Sequence, residues 1–163
     1  MLSVLALDID GVLTDGKVTI DEQGRESKTL SYRDIDAIFL AHRSGLRIVL
    51  ITGETSPWVD LIARRLEATH VYQGAKEKEE ALKNLCRDLG VDLSQVCYVG
   101  DSPRDVAAVA IAGLGLAPAD AHHSVKAAAD RVLQCSGGDG TVAEAVDILL
   151  KMQESGATQE QHA

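Results

Sequence analysis

Short, continuously apolar runs alternate along this chain with longer stretches in which apolar residues recur every three or four positions. The runs SVLALDI (3–9), LRIVLIT (46–52), HVYQ (70–73), QVCYVG (95–100) and GLGLAP (113–118) predict strands. Residues 33–44, 56–68, 77–89 and 103–112 carry the i, i+3, i+4 spacing of helices. Gly45 and Gly90 follow two of these segments and suit the left-handed residue that closes a helix. Strands that are apolar on both faces and separated by helices belong to a parallel sheet covered on both sides. The expected fold is α/β, a doubly wound, Rossmann-like parallel sheet.

One interval interrupts the alternation. Residues 16–31, GKVTIDEQGRESKTLS, hold two short strand-like pieces around Asp21-Glu22-Gln23-Gly24, which predicts a β-hairpin directly after the first strand. Such a hairpin overhangs the carboxyl end of that strand. Residues 141–152 show a helical stripe of Val142, Ala145, Val146, Leu149 and Leu150. Beyond it, ESGATQEQHA is polar and without period, and is expected to be disordered in isolation. The expectation is one domain over residues 1–153 and a polar tail over 154–163, with no repeat and no insert large enough for a cap domain.

Charge narrows the function. The formal balance of 16 basic against 25 acidic residues is −9, which opposes non-specific binding to nucleic acid or to an anionic membrane. Aromatics are only 3%, so the core should be aliphatic. Cys86, Cys97 and Cys135 are odd in number and widely spaced, suggesting reduced thiols rather than a disulfide framework or a zinc site. No apolar stretch approaches the ~20 residues of a membrane span. No basic region precedes the first apolar run, which Asp8 interrupts, so the expected location is the cytoplasm.

The chemistry gathers at the ends of the predicted strands, where open α/β sheets bind their ligands. The first strand ends in Asp8 and Asp10, followed by Gly11. The second ends in Thr52-Gly53-Glu54, the third in a loop carrying Lys76 and Lys78, and the fourth in Asp101-Ser102-Pro103-Arg104-Asp105. A buried strand has no use for unpaired carboxylates, whose desolvation is expensive. Asp8 and Asp10 are one pleat period apart and share a face if the strand stays regular. Facing Asp101, they call for a hard cation. Mg²⁺ suits an oxygen-only site and leaves positions for water and a substrate phosphate. A lysine and a hydroxyl would hold the remaining phosphate oxygens. A lone D-x-D reads equally well as an acidic turn, but four elements at successive strand ends argue for phosphoryl transfer to an aspartate.

These motifs resemble those of the haloacid dehalogenase superfamily of phosphatases, over nearly the whole chain. DIDGV matches the D-x-D-G-[VT] motif, Thr52 the hydroxyl after the second strand, Lys78 the lysine, and GDSPRD the terminal acidic motif. Lys78 is preferred to Lys76 because it stands four residues after Gly74, as in the family pattern. DGVLTDG, the hairpin, YQGAKEK, YVGD, PADAH and GGDGTVAEAVDILL further resemble the capless 3-deoxy-D-manno-octulosonate 8-phosphate phosphatase branch, which also holds nonulosonate 9-phosphate phosphatases. The resemblance implies that Asp8 is the nucleophile, becoming an aspartyl phosphate. Asp10 would protonate the leaving alkoxide and then activate water. Asp8, the backbone carbonyl of Asp10, and Asp101 would ligate Mg²⁺, with Asp105 orienting Lys78 or a metal-bound water. Thr52 and Lys78 would bind the phosphoryl group. Thr14, Gly53, Glu54 and Arg65 join Lys78 as candidates for contact with a phosphorylated sugar acid, although Arg64 and Arg65 read most simply as solvated helix residues. The resemblance also implies a homotetramer. In it, residues 16–31 would form a barrel with their copies and cover a neighbouring site, and the segment after Gly137 would reach the pocket.

Four departures bear on the substrate. Ser102 stands where many relatives have aspartate, RDIDA (33–37) replaces RDGxG, and Gln134-Cys135-Ser136 precedes GGDG where some relatives place an arginine. Glu54 stands where octulosonate phosphatases usually carry arginine, as in the nonulosonate branch. A carboxylate there repels a sugar-acid carboxylate but accepts hydrogen bonds from hydroxyls. His122 and His123 read as loop residues and Asp15 as a turn residue. The expected activity is Mg²⁺-dependent hydrolysis of a sugar-acid phosphate. The competing readings are a non-catalytic tetramerisation module, like those fused to some sialic-acid cytidylyltransferases, and a phosphoacceptor receiver. Intact motifs oppose the first; the second leaves Asp10 and the hairpin without a use.

Overall fold

The computed structural model describes residues 1–160, the last four by backbone alone. In chain order the elements are β1 (Val4–Leu7), the hairpin strands β2 (Thr19–Ile20) and β3 (Glu26–Ser27), α1 (Tyr32–Arg43), β4 (Arg47–Ile51), α2 (Pro57–Arg65) and β5 (His70–Tyr72). They continue as α3 (Lys78–Leu89), β6 (Val96–Val99), α4 (Val106–Ile111), β7 (Leu114–Ala117), α5 (His123–Ala128), β8 (Arg131–Val132) and α6 (Thr141–Glu160). Six strands form one parallel sheet in the order β5-β4-β1-β6-β7-β8. β1 lies between β4 and β6, where the winding changes direction, and such a switch point opens a crevice at the carboxyl ends of the strands.

Alternation along β1 sorts its side chains into two cores. Leu5 and Leu7 pack with Ile48, Leu50 and Val99 against α1, α2 and α6, whereas Val4 and Ala6 pack with Val49, Ile51 and Tyr98 against α3, α4 and α5. Full burial of an aliphatic side chain contributes roughly 1.5–3 kcal/mol, so two such layers hold the sheet with few aromatic residues. Asp8 follows one pleat after Ala6, which directs it towards α3.

The structure differs from the sequence reading at several points. The helix expected over 103–112 is a 3-10 turn at Pro103–Asp105 followed by α4, because the Asp105 side chain is drawn back into the strand-end loop. α5 and β8 carry too short a pattern to be seen. The tail expected to be disordered is helical up to Glu160, since extending an established helix adds one hydrogen bond per residue without a new nucleation cost. Residues 161–163 lie outside the described residues. No helix among the described residues is long and apolar enough to cross a membrane.

A buried carboxylate ties the two ends of the fold together. Asp34, in the first turn of α1, accepts hydrogen bonds from the backbone N–H groups of Gly140 (3.2 Å) and Ala143 (2.9 Å) at the start of α6. Burial pushes its carboxyl above the ordinary range, and these donors partly offset that. The same loop lies against the turn after β1: Gly138 donates to the Val12 carbonyl (2.9 Å). A side chain at Gly137 would meet the Gly11 carbonyl oxygen at 1.9 Å. Asp34→Ala leaves these donors unpaired and should cost about 1–3 kcal/mol in urea unfolding. Asp34→Asn, which retains an acceptor oxygen, should cost less.

Candidate active site

Asp8 leaves β1 in extended backbone geometry, and one of its oxygens accepts from the Ile9 N–H at 2.8 Å. The chain then turns through residues 9–13, closed by the Thr14 N–H donating to the Ile9 carbonyl (3.1 Å). Gly11 has φ +86°, and a Cβ there would fall 1.9 Å from a carboxylate oxygen of Asp101. Glycine is required both for the turn and for the approach of Asp101. Because β1 stops at Leu7, Asp8 and Asp10 do not share a face by pleating, as the sequence suggested. The turn instead brings both to one cleft of about 340 Å³, lined also by Thr52, Lys78, Asp101 and Arg104.

Lys78 opens α3 and is buried at 3% exposure. Its Nζ lies 2.7 Å from Asp8 and 3.3 Å from Asp105, and it donates to the Ile51 carbonyl at 2.9 Å. A buried ammonium is tolerable only with such partners. The Ile9 N–H and Lys78 fall on the same Asp8 oxygen, leaving the other for reaction.

Asp105 is fully buried. One oxygen accepts from the Tyr98 hydroxyl (2.7 Å); the other accepts from the N–H groups of Asp101 (3.2 Å) and Ser102 (3.0 Å) and from the Ser102 hydroxyl (3.0 Å). Asp105 therefore shapes the loop and orients Lys78, with both oxygens already engaged. Ser102, a departure from the family pattern, is one of its donors. Oxygens of Asp8, Asp101 and Asp105 lie within 4.8 Å of one another. One Asp101 oxygen is buried without a partner among the described residues, a state that costs about 1–3 kcal/mol or more for a charged group. Desolvation, reinforced by the Asp105 charge and opposed by Lys78, pushes the Asp8 carboxyl up to about 7 and that of Asp101 up to about 6. An all-oxygen donor set with an orphaned carboxylate oxygen fits a hard divalent cation.

The remaining candidates divide. Thr52 is buried at the cleft, where its hydroxyl accepts from the Glu54 N–H (3.2 Å), and Gly53 and Glu54 line the same cleft. Thr14 does not reach it: its buried hydroxyl accepts from the N–H groups of Gly11 (3.3 Å) and Gly16 (3.1 Å) and braces the turn. Arg65 lies exposed in the last turn of α2, away from the cleft lining, and Lys76 is exposed. His122 caps α5 and bonds Ser124, while Asp15 accepts from the Lys17 N–H (2.9 Å) as a turn residue. Asp10 does not give its carboxylate to the acidic cluster; Lys28 holds it at 2.8 Å, and the same ammonium lies 2.8 Å from Glu54. Sequence reasoning missed Lys28 and Arg104. Arg104 was legible as the one cation inside GDSPRD. Lys28 comes from the hairpin, 18 residues beyond Asp10, and only the overhang of that hairpin signals it.

This geometry, with a carboxylate, a lysine and a hydroxyl converging beyond a parallel sheet, defines a phosphoryl-transfer site. A model of the haloacid dehalogenase-like hydrolases matches residues 67–146. The chain is 37% identical over 152 residues to the 3-deoxy-D-manno-octulosonate 8-phosphate phosphatase of Escherichia coli K12, covering 93% of this chain and 81% of that protein. The chain belongs to the haloacid dehalogenase superfamily, in the branch of the 3-deoxy-D-manno-octulosonate 8-phosphate phosphatases. Its structure is similar to that of the Moraxella catarrhalis phosphatase in complex with magnesium, phosphate and KDO, with a TM-score of 0.91, 32% identity, and 99% and 94% of the two chains covered. The cobalt-bound Haemophilus influenzae phosphatase gives a TM-score of 0.89 at 33% identity, covering 94% and 90%.

The raised carboxyls predict a pH signature. In metal-free protein, Asp8 and Asp101 bind protons more tightly folded than unfolded. Their contribution is fully present below their unfolded values of about 4 and is lost as pH rises towards 7. A divalent cation should therefore raise the melting temperature more at pH 7.5 than at pH 5, measured with and without chelator. Gly11→Ala should abolish that increment by displacing Asp101.

Proposed function

We propose that this chain is a Mg²⁺-dependent phosphatase of a sugar-acid phosphate monoester, with 3-deoxy-D-manno-octulosonate 8-phosphate as its substrate. One observation carries the reading: Asp8 keeps one oxygen free at the cleft while Lys78 and a backbone N–H fix the other, beside the orphaned Asp101 oxygen. Asp8, Asp101 and the Asp10 carbonyl would hold Mg²⁺, which supplies positive charge to the phosphoryl oxygens. Lys78 and the Thr52 hydroxyl bind the same group and offset its repulsion of the incoming carboxylate. Asp8 forms a bond to phosphorus as the ester P–O bond breaks, and the alkoxide takes a proton from Asp10. Asp10 then removes a proton from the water that hydrolyses the aspartyl phosphate.

The Lys28 contact bears on the substrate. Glu54 would repel a sugar-acid carboxylate if it stood alone, but its charge faces the Lys28 ammonium, which supports an octulosonate as readily as a nonulosonate. The reading includes a single catalytic domain over residues 1–153 and a cytoplasmic location, which suits three free thiols. It also includes a homotetramer, supported by the exposed Val18 and Ile20 of the hairpin. Light scattering that finds a fully active monomer removes the tetramer.

A turnover screen with Mg²⁺ over octulosonate 8-phosphate, nonulosonate 9-phosphates and simple sugar phosphates tests the activity. Octulosonate 8-phosphate should give the highest kcat/KM, and Asp8→Asn should lower it by at least about 10³-fold, as expected for loss of a nucleophile. Wild type no faster than Asp8→Asn on every substrate would defeat the enzyme reading.

A further inference from the structure

The hairpin sends one buried side chain into the site. Thr19, Ile20, Glu26 and Ser27 are exposed, yet the Lys28 side chain is only 8% exposed. Both of its ion pairs reach catalytic loops, Asp10 on one and Glu54 on the other, each at 2.8 Å. Its ammonium also lies 5.2 Å from the centre of the Trp58 ring, within cation–π range. Burying a lysine costs desolvation, and a hairpin needing only a solvated cation would leave it in water. Partial burial lowers its affinity for a proton, but the hydrogen bonds with Asp10 and Glu54 outweigh this, and the ammonium is held charged.

We propose that Lys28 is a positioning residue for the acid–base carboxylate: it holds one oxygen of Asp10 so that the other faces the leaving group, while Glu54 and Trp58 hold the ammonium in place. The site then uses one device twice, since Lys78 fixes one oxygen of Asp8 in the same manner. Glu54 acts inside this arrangement, and its charge is spent on Lys28 before any sugar arrives. The inference rests on the reading of Asp10 as the acid that protonates the leaving oxygen. When Asp8 forms its bond to phosphorus, the electron pair of the breaking P–O bond goes to the ester oxygen. An alkoxide needs the Asp10 proton at that moment, whereas 4-nitrophenolate leaves as a stable anion without it.

The test compares kcat/KM, which covers the steps through the first P–O cleavage, for the best alkyl phosphate of the turnover screen and for 4-nitrophenyl phosphate. Asp10→Asn should lower the alkyl value by about 10²–10⁴-fold and the aryl value far less. Lys28→Met should lower the alkyl value by about 30-fold and the aryl value by less than about 3-fold, the scale of a misplaced catalytic group. Lys28→Arg, which keeps a donor, should recover most of the loss, and Glu54→Gln should show a weaker form of the same selectivity. In the Asp10→Asn background, Lys28→Met should change the alkyl value by less than about 2-fold, because a residue acting through Asp10 has nothing left to position. Equal losses on both substrates, or additive losses in that background, overturn the role of Lys28 and leave Asp10 standing. An Asp10→Asn variant that loses both substrates equally overturns the acid–base reading itself. Should Lys28→Met fail to fold, Glu54→Gln and Lys28→Arg, alone and with Asp10→Asn, decide the same question.

Discussion

A buried lysine between two carboxylates organises this molecule. Lys78 draws Asp8 and Asp105 to one point, and three neighbouring carboxylates without it would repel one another in a desolvated site. The sheet supplies Asp8 at the end of β1, α3 supplies the lysine, and the loop after β6 supplies Asp101 and Asp105. Each element is held by its aliphatic layer, so rigid packing fixes the charges. The single lysine leaves the cluster short of positive charge. That deficit, visible as the orphaned oxygen of Asp101, suits the site to a cation and a phosphate together.

Close backbone contacts fix the turn that bears Asp10. Gly11 admits Asp101, Thr14 ties the turn to itself, and the 137–138 segment lies directly behind it. Asp34 secures that segment from α1. The departure RDIDA keeps this aspartate while losing the family glycines, which shows that the capping carboxylate does not depend on them.

Much of this was legible in the sequence, for definable reasons. Continuously apolar runs located five of the six strands of the parallel sheet, and the strand-end rule then placed Asp8, Thr52, Lys78 and Asp101 at one edge. The helical preference of a polar segment was masked by the missing apolar stripe, so the end of α6 was read as a tail. Thr14 and Arg65 fall outside the cleft lining of this chain, because sequence proximity to a motif does not say where a side chain points. Lys28 escaped because its partners lie 18 and 26 residues away, and only the three-dimensional path of the hairpin brings them together. Asp105 was recognised, but its saturation by Tyr98 and Ser102 depends on a local turn that no spacing rule predicts.

The capping of α6 by Asp34 spans 106 positions of the chain, and this sets the order in which the site can be completed. During synthesis Asp8, Lys78 and the acidic loop of Asp101 and Asp105 are all made before residue 106, early enough for the sheet centre to assemble. The backing of the turn after β1 does not exist until residues 137–143 have been made and docked onto α1. The nascent protein thus carries Asp8 and Asp10 beside an unsupported turn from the time residue 105 is made until residues 137–143 have been added and docked, and order reaches that turn only with the start of α6.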